Sequence, residues 1–239
     1  MRHFRLIAFD LDGTLTQHKS PLSKEYQALL QMLSEKYHLL MVGAGSCERI
    51  YHQMQDFPID IIGNYGMQRS EIINGKLTLM ENHQAAAPDR PSVEKRMTYL
   101  REKYGYTDFA GDNVEYHLSG MLTLPLLGTK AKIEDKIAFD PTREKRKVMY
   151  PEVKELFSEY TSFIGGSSSF DLVPLPYQKY YALDQYCRAH GYAHDEALFL
   201  GDDYHPGGND EPVYHSDFSF WKVDHFEDFP QIIQPLLAE

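Results

Sequence analysis

The chain has 239 residues, enough for one large domain or two small ones, and its 42% hydrophobic and 25% charged side chains exclude overall disorder. Against 35 Asp and Glu stand 24 Lys and Arg, a net charge of -11 and the wrong sign for a nucleic-acid binder. A small phosphorylated ligand stays open, because a bound cation reverses the local field. Cys47 and Cys187 form neither a disulfide framework nor a zinc site. The opening MRHFRLIAFDLDG carries charges where a secretion signal needs apolar residues, and no apolar run approaches the ~20 residues of a membrane span. The expectation is a cytoplasmic protein with neither membrane nor nucleic acid as partner.

FRLIAFDLDGT reads as a buried strand running into a turn. Ser23 is a candidate N-cap, and Tyr26, Leu29, Leu30, Leu33 and Tyr37 recur at helical spacing. LLMVGAGS is a second strand, CERIYHQM a helix and IDIIGN a third strand. This alternation predicts an α/β fold with a doubly wound parallel sheet. The pattern changes near residue 84, where AAAPDRP reads as a linker. A helix over 92–103 follows, then VEYHL and MLTLPLL around a Ser119-Gly120 turn, a charged helix over 142–160, and a strand-like SFIGGSSSFDLVPL. After Lys179 the first pattern returns: helix 179–190, strand ALFLGDD, strand FSFWKV and a last helix from Glu227. The expected organisation is a core of residues 1–84 and 177–239 interrupted by an inserted α+β domain of residues 85–176.

Asp10-Leu11-Asp12-Gly13-Thr14 closes the first strand, at the edge of the sheet that faces a binding crevice. The N–H groups of the turn, that of Leu11 among them, suit phosphate oxygens. A carboxylate at Asp10 suits attack on phosphorus, and one at Asp12 suits proton transfer with the leaving oxygen. An Asp-rich turn that merely caps a strand is the alternative; a calcium loop fails, because its glycine belongs at the sixth position and Gly13 is the fourth. Gly201-Asp202-Asp203 follows another apolar strand. Two such acidic pairs can converge on one divalent ion, and hard oxygen donors favour Mg²⁺, whereas Gly-Asp-Asp by itself is equally a solvated turn. Gly43-Ala44-Gly45-Ser46 lets a phosphate approach the backbone, with Ser46 as a donor, or is an ordinary helix cap. Lys179 balances charge at such a site, or is simply solvated. His205, His215 and His225 lack compact ligand spacing and read as surface histidines. Cys47, at a helix start, reads as a small residue near the site, the other option being a thiol of lowered pKa.

The order FDLDGT, GAGS, Lys179, GDD resembles the haloacid-dehalogenase-type phosphotransferases over nearly the whole chain. FDLDGTLT, VGAGSCERIYHQM, SGMLTLPLLG, GGSSSFDLVP and above all GDDYHPGGNDEPVY are similar to segments of the eukaryotic-type phosphomannomutases. The resemblance implies a Rossmann-like core with an inserted cap, which closes to exclude water, and dimers formed through that cap. It makes Asp10 the phosphorylated nucleophile and Asp12 the general acid/base, with its backbone carbonyl on the metal. Ser46 and Lys179 would hold the transferring phosphoryl group, Asp202 would bind Mg²⁺ beside Asp10, and Asn209 and Asp210 would close the metal and phosphate site. Ser169 and Asp171 match positions that contact sugar hydroxyls.

The family also places three arginines in the cap to grip the phosphate that is not transferred. Leu118, Thr129 and Lys136 stand at the matching positions, so one lysine replaces three bidentate forks. Arg143, Arg146 and Lys147 lie downstream as substitutes or, on the blander reading, as a solvated helix face. The leading expectation is therefore Mg²⁺-dependent hydrolysis of a phosphorylated sugar through an aspartyl-phosphate. The alternatives are a phosphomannomutase interconverting mannose 1- and 6-phosphates and, from another class, a non-catalytic sugar-phosphate sensor.

Overall fold

A computed structural model describes residues 3–238. The chain divides into two compact units. The first comprises the chain through His83, residues 178–205 and everything from Asp210; the second comprises Gln84–Tyr177 with Pro206–Asn209.

The first unit is built on a seven-stranded sheet. Its strands are β1 (Leu6–Phe9), β2 (His38–Val42), β3 (Asp60–Gly63), β4 (Gln68–Ile73), β5 (Lys76–Asn82), β10 (Ala197–Gly201) and β11 (Ser219–Lys222), in the order β11-β10-β1-β2-β3-β4-β5. From β11 to β3 every pair is parallel. The chain winds outward from β1 through β2 to β3 on one side and from β10 to β11 on the other, so the switch of direction falls between β1 and β10. Ligands of such sheets bind outside the carboxyl ends of the strands at that switch.

Alternate residues of each parallel strand feed two cores, the signature of a sheet covered on both faces. Ile7, Phe9, Met41 and Leu200 pack with α1 (Lys24–Ser34), α2 (Cys47–Gln53), α8 (Phe229–Ile232) and α9 (Gln234–Ala238). Leu6, Ala8, Leu40 and Phe199 pack with α6 (Lys179–His190) and α7 (Glu211–Tyr214). Ser23 caps α1 by accepting the Tyr26 amide at 3.2 Å. The expected last helix is instead two short ones, since Pro230 and Pro235 each fall in a first turn, where a missing N–H costs nothing, and neither suits a helix interior.

The antiparallel β4–β5 hairpin has no counterpart in the sequence reading. Its turn is Asn74-Gly75, both residues at positive φ, the conformation that favours this pair.

The second unit has a four-stranded antiparallel sheet, ordered β6 (Glu115–Tyr116), β7 (Leu122–Pro125), β9 (Ser169–Pro174), β8 (Tyr160–Phe163). Leu122, Leu124, Phe170 and Leu172 pack against α3 (Arg90–Tyr104) and α5 (Glu144–Leu156). Thr123 and Asp171, register partners on neighbouring strands, occupy alternate positions and so lie on the other face. A separate α4 (Ile133–Phe139) precedes α5, which ends short of the expected Tyr160 because Tyr160 opens β8. Among the described residues no helix is long and apolar enough to cross a membrane.

Candidate active site

Asp10 is the first residue beyond β1 and Asp202 the first beyond β10, and the Asp10 amide donates to the Leu200 carbonyl of the adjoining strand (2.9 Å). The parallel register thus sets the two carboxylates side by side. Asp210 returns to them through a closed turn: its amide donates to the Asp203 carbonyl, and its Oδ2 accepts the Asp203 amide, both at 3.0 Å. Two glycines make room. A Cβ on Gly13, whose φ of +102° also disfavours other residues, would overlap the Asp202 carboxylate, and one on Gly201 would overlap that of Asp210.

Asp10, Asp202 and Asp210 each present an oxygen within 4.8 Å of the others. Lys179, the first residue of α6 and 0% exposed, donates to Asp10 Oδ1 at 2.5 Å and to Asp210 Oδ1 at 2.7 Å. The reading of Lys179 as a solvated surface lysine is therefore incorrect; its ammonium is buried because two buried carboxylates compensate it.

One cation among three carboxylates leaves a surplus of negative charge. Burial pushes the Asp10 carboxyl up to about 7 against the pull of Lys179. Burial, then Asp210 and Asp203, push Asp202 up to about 6. Asp210 is raised to about 7, again mainly by burial, with Lys179 opposing. Burial works against the Lys179 charge, but Asp10 and Asp210 outweigh it and hold the ammonium protonated. Three convergent hard oxygen donors, two buried and one half-buried, each disfavoured as an anion, fit a divalent cation, and these acids could hold one.

Asp12 lies outside this trio. Its Oδ1 accepts the Lys19 amide and Gln53 Nε2, both at 2.6 Å, and Arg49 approaches its Oδ2 at 3.6 Å. Thr14 Oγ1 donates to Asp202 Oδ1 at 3.0 Å. Gln53, Arg49 and Thr14 were not among the sequence candidates. Thr14 had a signal, since it sits within the Asp-Gly-Thr motif; Gln53 and Arg49 reach Asp12 only through the packing of α2, which no local pattern encodes.

The Ser46 hydroxyl accepts the Arg49 amide at 3.2 Å and caps α2. The space at Gly45 is filled by the Arg49 guanidinium, so this glycine admits a side chain of its own chain. Leu11 buries its side chain, and its carbonyl accepts the amides of Thr14, Leu15 and Thr16. Cys47 is buried, its Sγ donating to the Ile61 carbonyl at 3.5 Å, and burial pushes its thiol up, which removes the option of a lowered pKa. His205 lies against the Tyr204 ring at 4.4 Å; the potential metal-ligand group found among the described residues contains no histidine.

The remaining candidates lie in the second unit. Asp171 Oδ1 accepts from Thr123 Oγ1 (3.2 Å), which is also 3.1 Å from His117 Nε2. Ser169 Oγ donates to the Gly165 carbonyl at 3.1 Å. Asn209 belongs to the second unit by its contacts, although its neighbour Asp210 belongs to the first. Leu118 is 95% exposed. Thr129 Oγ1 is held by Asp112, through the Asp112 amide (2.9 Å) and carboxylate (3.1 Å), and Lys136 donates to the Thr129 carbonyl (3.1 Å).

The structure overturns the solvated-face reading for Arg146. It is 1% exposed, paired with Asp140 at 3.0 Å, and donates to the carbonyls of Asp140, Gly165, Gly166 and Ser169. Lys147 pairs with Glu144 at 2.8 Å.

Residues 99–239 match the family model described as eukaryotic phosphomannomutase. A phosphomannomutase of Schizosaccharomyces pombe is 27% identical over 223 residues, covering 87% of this chain and 84% of the relative. Phosphomannomutase 1 of Homo sapiens is 26% identical over 222 residues, covering 87% and 82%. Among solved structures, a truncated, IMP-bound Plasmodium falciparum IMP-nucleotidase superposes with a TM-score of 0.68 at 12% identity, over 99% of this chain and 69% of that one. A haloacid dehalogenase-like hydrolase from Bacteroides thetaiotaomicron gives 0.55 at 16% identity, over 97% and 99%.

Proposed function

Because this chain belongs to the eukaryotic phosphomannomutase family and its core has the haloacid-dehalogenase fold, it is an enzyme of phosphoryl transfer, and we propose that it hydrolyses a phosphorylated sugar rather than isomerising one. The observation behind this choice is the state of the cations in the second unit. Of the positions matching the family's arginines, one is an exposed leucine, one a threonine bonded to Asp112, and one a lysine bonded to a carbonyl. Arg146, further along the same unit, is buried and bonded to Asp140 and backbone carbonyls. A mutase must bind a bisphosphorylated intermediate in two orientations, and a leucine, a threonine and one lysine lack the bidentate forks that grip a second phosphate.

In this reading the Asp10 carboxylate attacks phosphorus while the P–O bond to the sugar breaks, and Asp12 delivers its proton to the departing oxygen. Lys179 holds the Asp10 carboxylate and offsets the charge of the incoming phosphoryl group. Water then attacks the aspartyl-phosphate, the P–O bond to Asp10 breaks, and Asp12 takes up the water proton. Gln53 and the Lys19 amide keep the Asp12 carboxylate in place for both transfers. Mg²⁺, which Asp10, Asp202, Asp210 and the Asp12 carbonyl would hold, supplies positive charge to the transferring group. Ser46, the Leu11 amide and Asn209 serve as phosphate donors, and Ser169, Asp171 and Lys136 as contacts to the sugar.

The mutase reading rests on the family itself, whose named relatives are phosphomannomutases. A coupled assay with mannose 1-phosphate and a bisphosphate activator separates the two: free phosphate alone is expected, and mannose 6-phosphate would overturn the choice. If no phosphate leaves any of a broad panel of esters in Mg²⁺ and no isomer forms, a non-catalytic sensor is left.

A further inference from the structure

Next to the acidic edge, β11 ends on a cation that no motif singles out. Lys222 is the register partner of Gly201, the residue before Asp202, and the Val223 amide donates to the Gly201 carbonyl at 3.0 Å. Lys222 Nζ lies 4.5 Å from the ring centroid of Tyr204 and 4.7 Å from that of Tyr214. The two rings are 5.3 Å apart, and Phe220 meets both edge-on at 6.0 and 5.3 Å. The Tyr204 hydroxyl donates to Asp224. Among the described residues no carboxylate lies within ion-pair distance of the Lys222 ammonium, so the rings are its partners.

The two rings sit on the two segments that present the acids. Tyr204 follows Asp202-Asp203 directly, and Tyr214 belongs to α7, which begins one residue after Asp210. One ammonium therefore bridges the departing and returning limbs of the loop between Asp202 and Asp210. We propose that Lys222 is a positioning residue for divalent-cation binding, clamping Tyr204 to Tyr214 so that the Asp202 and Asp210 carboxylates keep the separation a cation needs. This rests on the metal reading above.

The sign of the effect makes the proposal sharp. If Lys222 acted only through its charge, removing it beside an acidic cluster would tighten cation binding. A clamp predicts weaker binding, because loosened acids must be reordered by the ion.

The test is Mn²⁺ binding to the full chain without substrate, with free Mn²⁺ followed by electron paramagnetic resonance. K222M is expected to bind about fivefold more weakly, the order of one cation–π contact, with its melting temperature in EDTA little changed. K222R should bind as the wild type does, since a guanidinium stacks on the same rings. Unchanged or tighter binding by K222M overturns the proposal. Should K222M fail to fold, Tyr214→Leu removes one ring instead, and the same weakening is required of it. If wild type and Asp202→Ala both bind no Mn²⁺, the metal reading itself falls; if the wild type binds and K222M matches it, only the clamp does.

Discussion

Each unit pairs a buried cation with a carboxylate, Arg146 with Asp140 and Lys179 with Asp10, and the two behave oppositely. In the second unit Arg146 pairs with the Asp140 carboxylate and donates to the carbonyls of Asp140, Gly165 and Gly166. Burial alone would raise the Asp140 carboxyl, but Arg146 and the amides of Lys145 and Arg146 hold it below its ordinary value. In the first unit Lys179 faces two carboxylates with a third close by, and all three are raised. A buried cation and carboxylate that meet each other and nearby backbone groups form a structural joint. A surplus of buried acids is unstable as it stands, and such instability at a sheet edge marks a site that waits for charge from outside.

The largest expected effect breaks the unstable cluster. Asp10→Asn should lower turnover by about 10⁴-fold or more, read as phosphate release by purified protein, because it removes the attacking oxygen. The same change should raise the melting temperature in EDTA at pH 8, since it deletes a carboxylate whose charge the fold disfavours. A variant that keeps activity, checked against contamination, sinks the nucleophile assignment.

Arg146→Met attacks the satisfied pair. It leaves Asp140 buried without its cation and strips donors from Gly165 and Gly166, at a cost of about 3–5 kcal/mol to the second unit. Amide hydrogen exchange in β7 and β9 should speed up while that of β1 and β10 stays slow. Equal loosening of both units would show that Arg146 is not a joint of the second unit alone.

The pairs also differ in pH dependence. Without metal, Asp10, Asp202 and Asp210 titrate near 6–7 when folded and near 3.8 when unfolded. Between those values the folded state binds more protons, so stability must fall as pH rises from about 4 to 7. Asp140 is lowered, so its contribution is present above 3.8 and disappears as the pH falls through its folded value. Strand-resolved exchange in EDTA should therefore show the first unit weakening from pH 5 to pH 8 and the second unit not; Mg²⁺ should flatten the slope of the first.

How much of this was legible in the sequence follows from the range of each interaction. Asp10, Asp12, Asp202 and Lys179 stand at element ends with turn residues beside them, so short windows expose them. The convergence of Asp10 with Asp202 needs only the parallel register of two recognisable strands. The β4–β5 hairpin carried its own signal at Asn74-Gly75 but extends the sheet antiparallel to β3, against the alternation that defined the rest. Arg146 is different. Its partners Gly165, Gly166 and Ser169 are 19 to 23 residues away, and a charged helix sequence looks the same whether its arginine meets water or a loop of carbonyls.

A smaller effect tests whether Asp202 depends on its neighbours. Thr14→Val removes the hydroxyl bonded to Asp202 Oδ1 and nearly preserves shape, so it should cost about 1 kcal/mol of stability. Because that bond opposes the rise of the Asp202 carboxyl, its loss should push the acid further up and weaken Mn²⁺ binding at pH 6 more than at pH 8. Equal weakening at both pH values would mean that Thr14 acts by position alone.

The smallest effect is a control on charge as such. Lys147 follows Arg146 in α5 and also has an acidic partner, Glu144 at 2.8 Å, yet both side chains are well exposed. Water solvates each ion without the other, and salt screens their attraction. Lys147→Ala should therefore leave exchange in β7 and β9 at wild-type rates, although it deletes the same unit of charge as Arg146→Met. If the two substitutions destabilised the second unit alike, net positive charge on α5 would be what matters. If only Arg146→Met does so, burial and the ring of carbonyls around its guanidinium are the cause, and two adjacent basic residues of one helix differ for that reason alone.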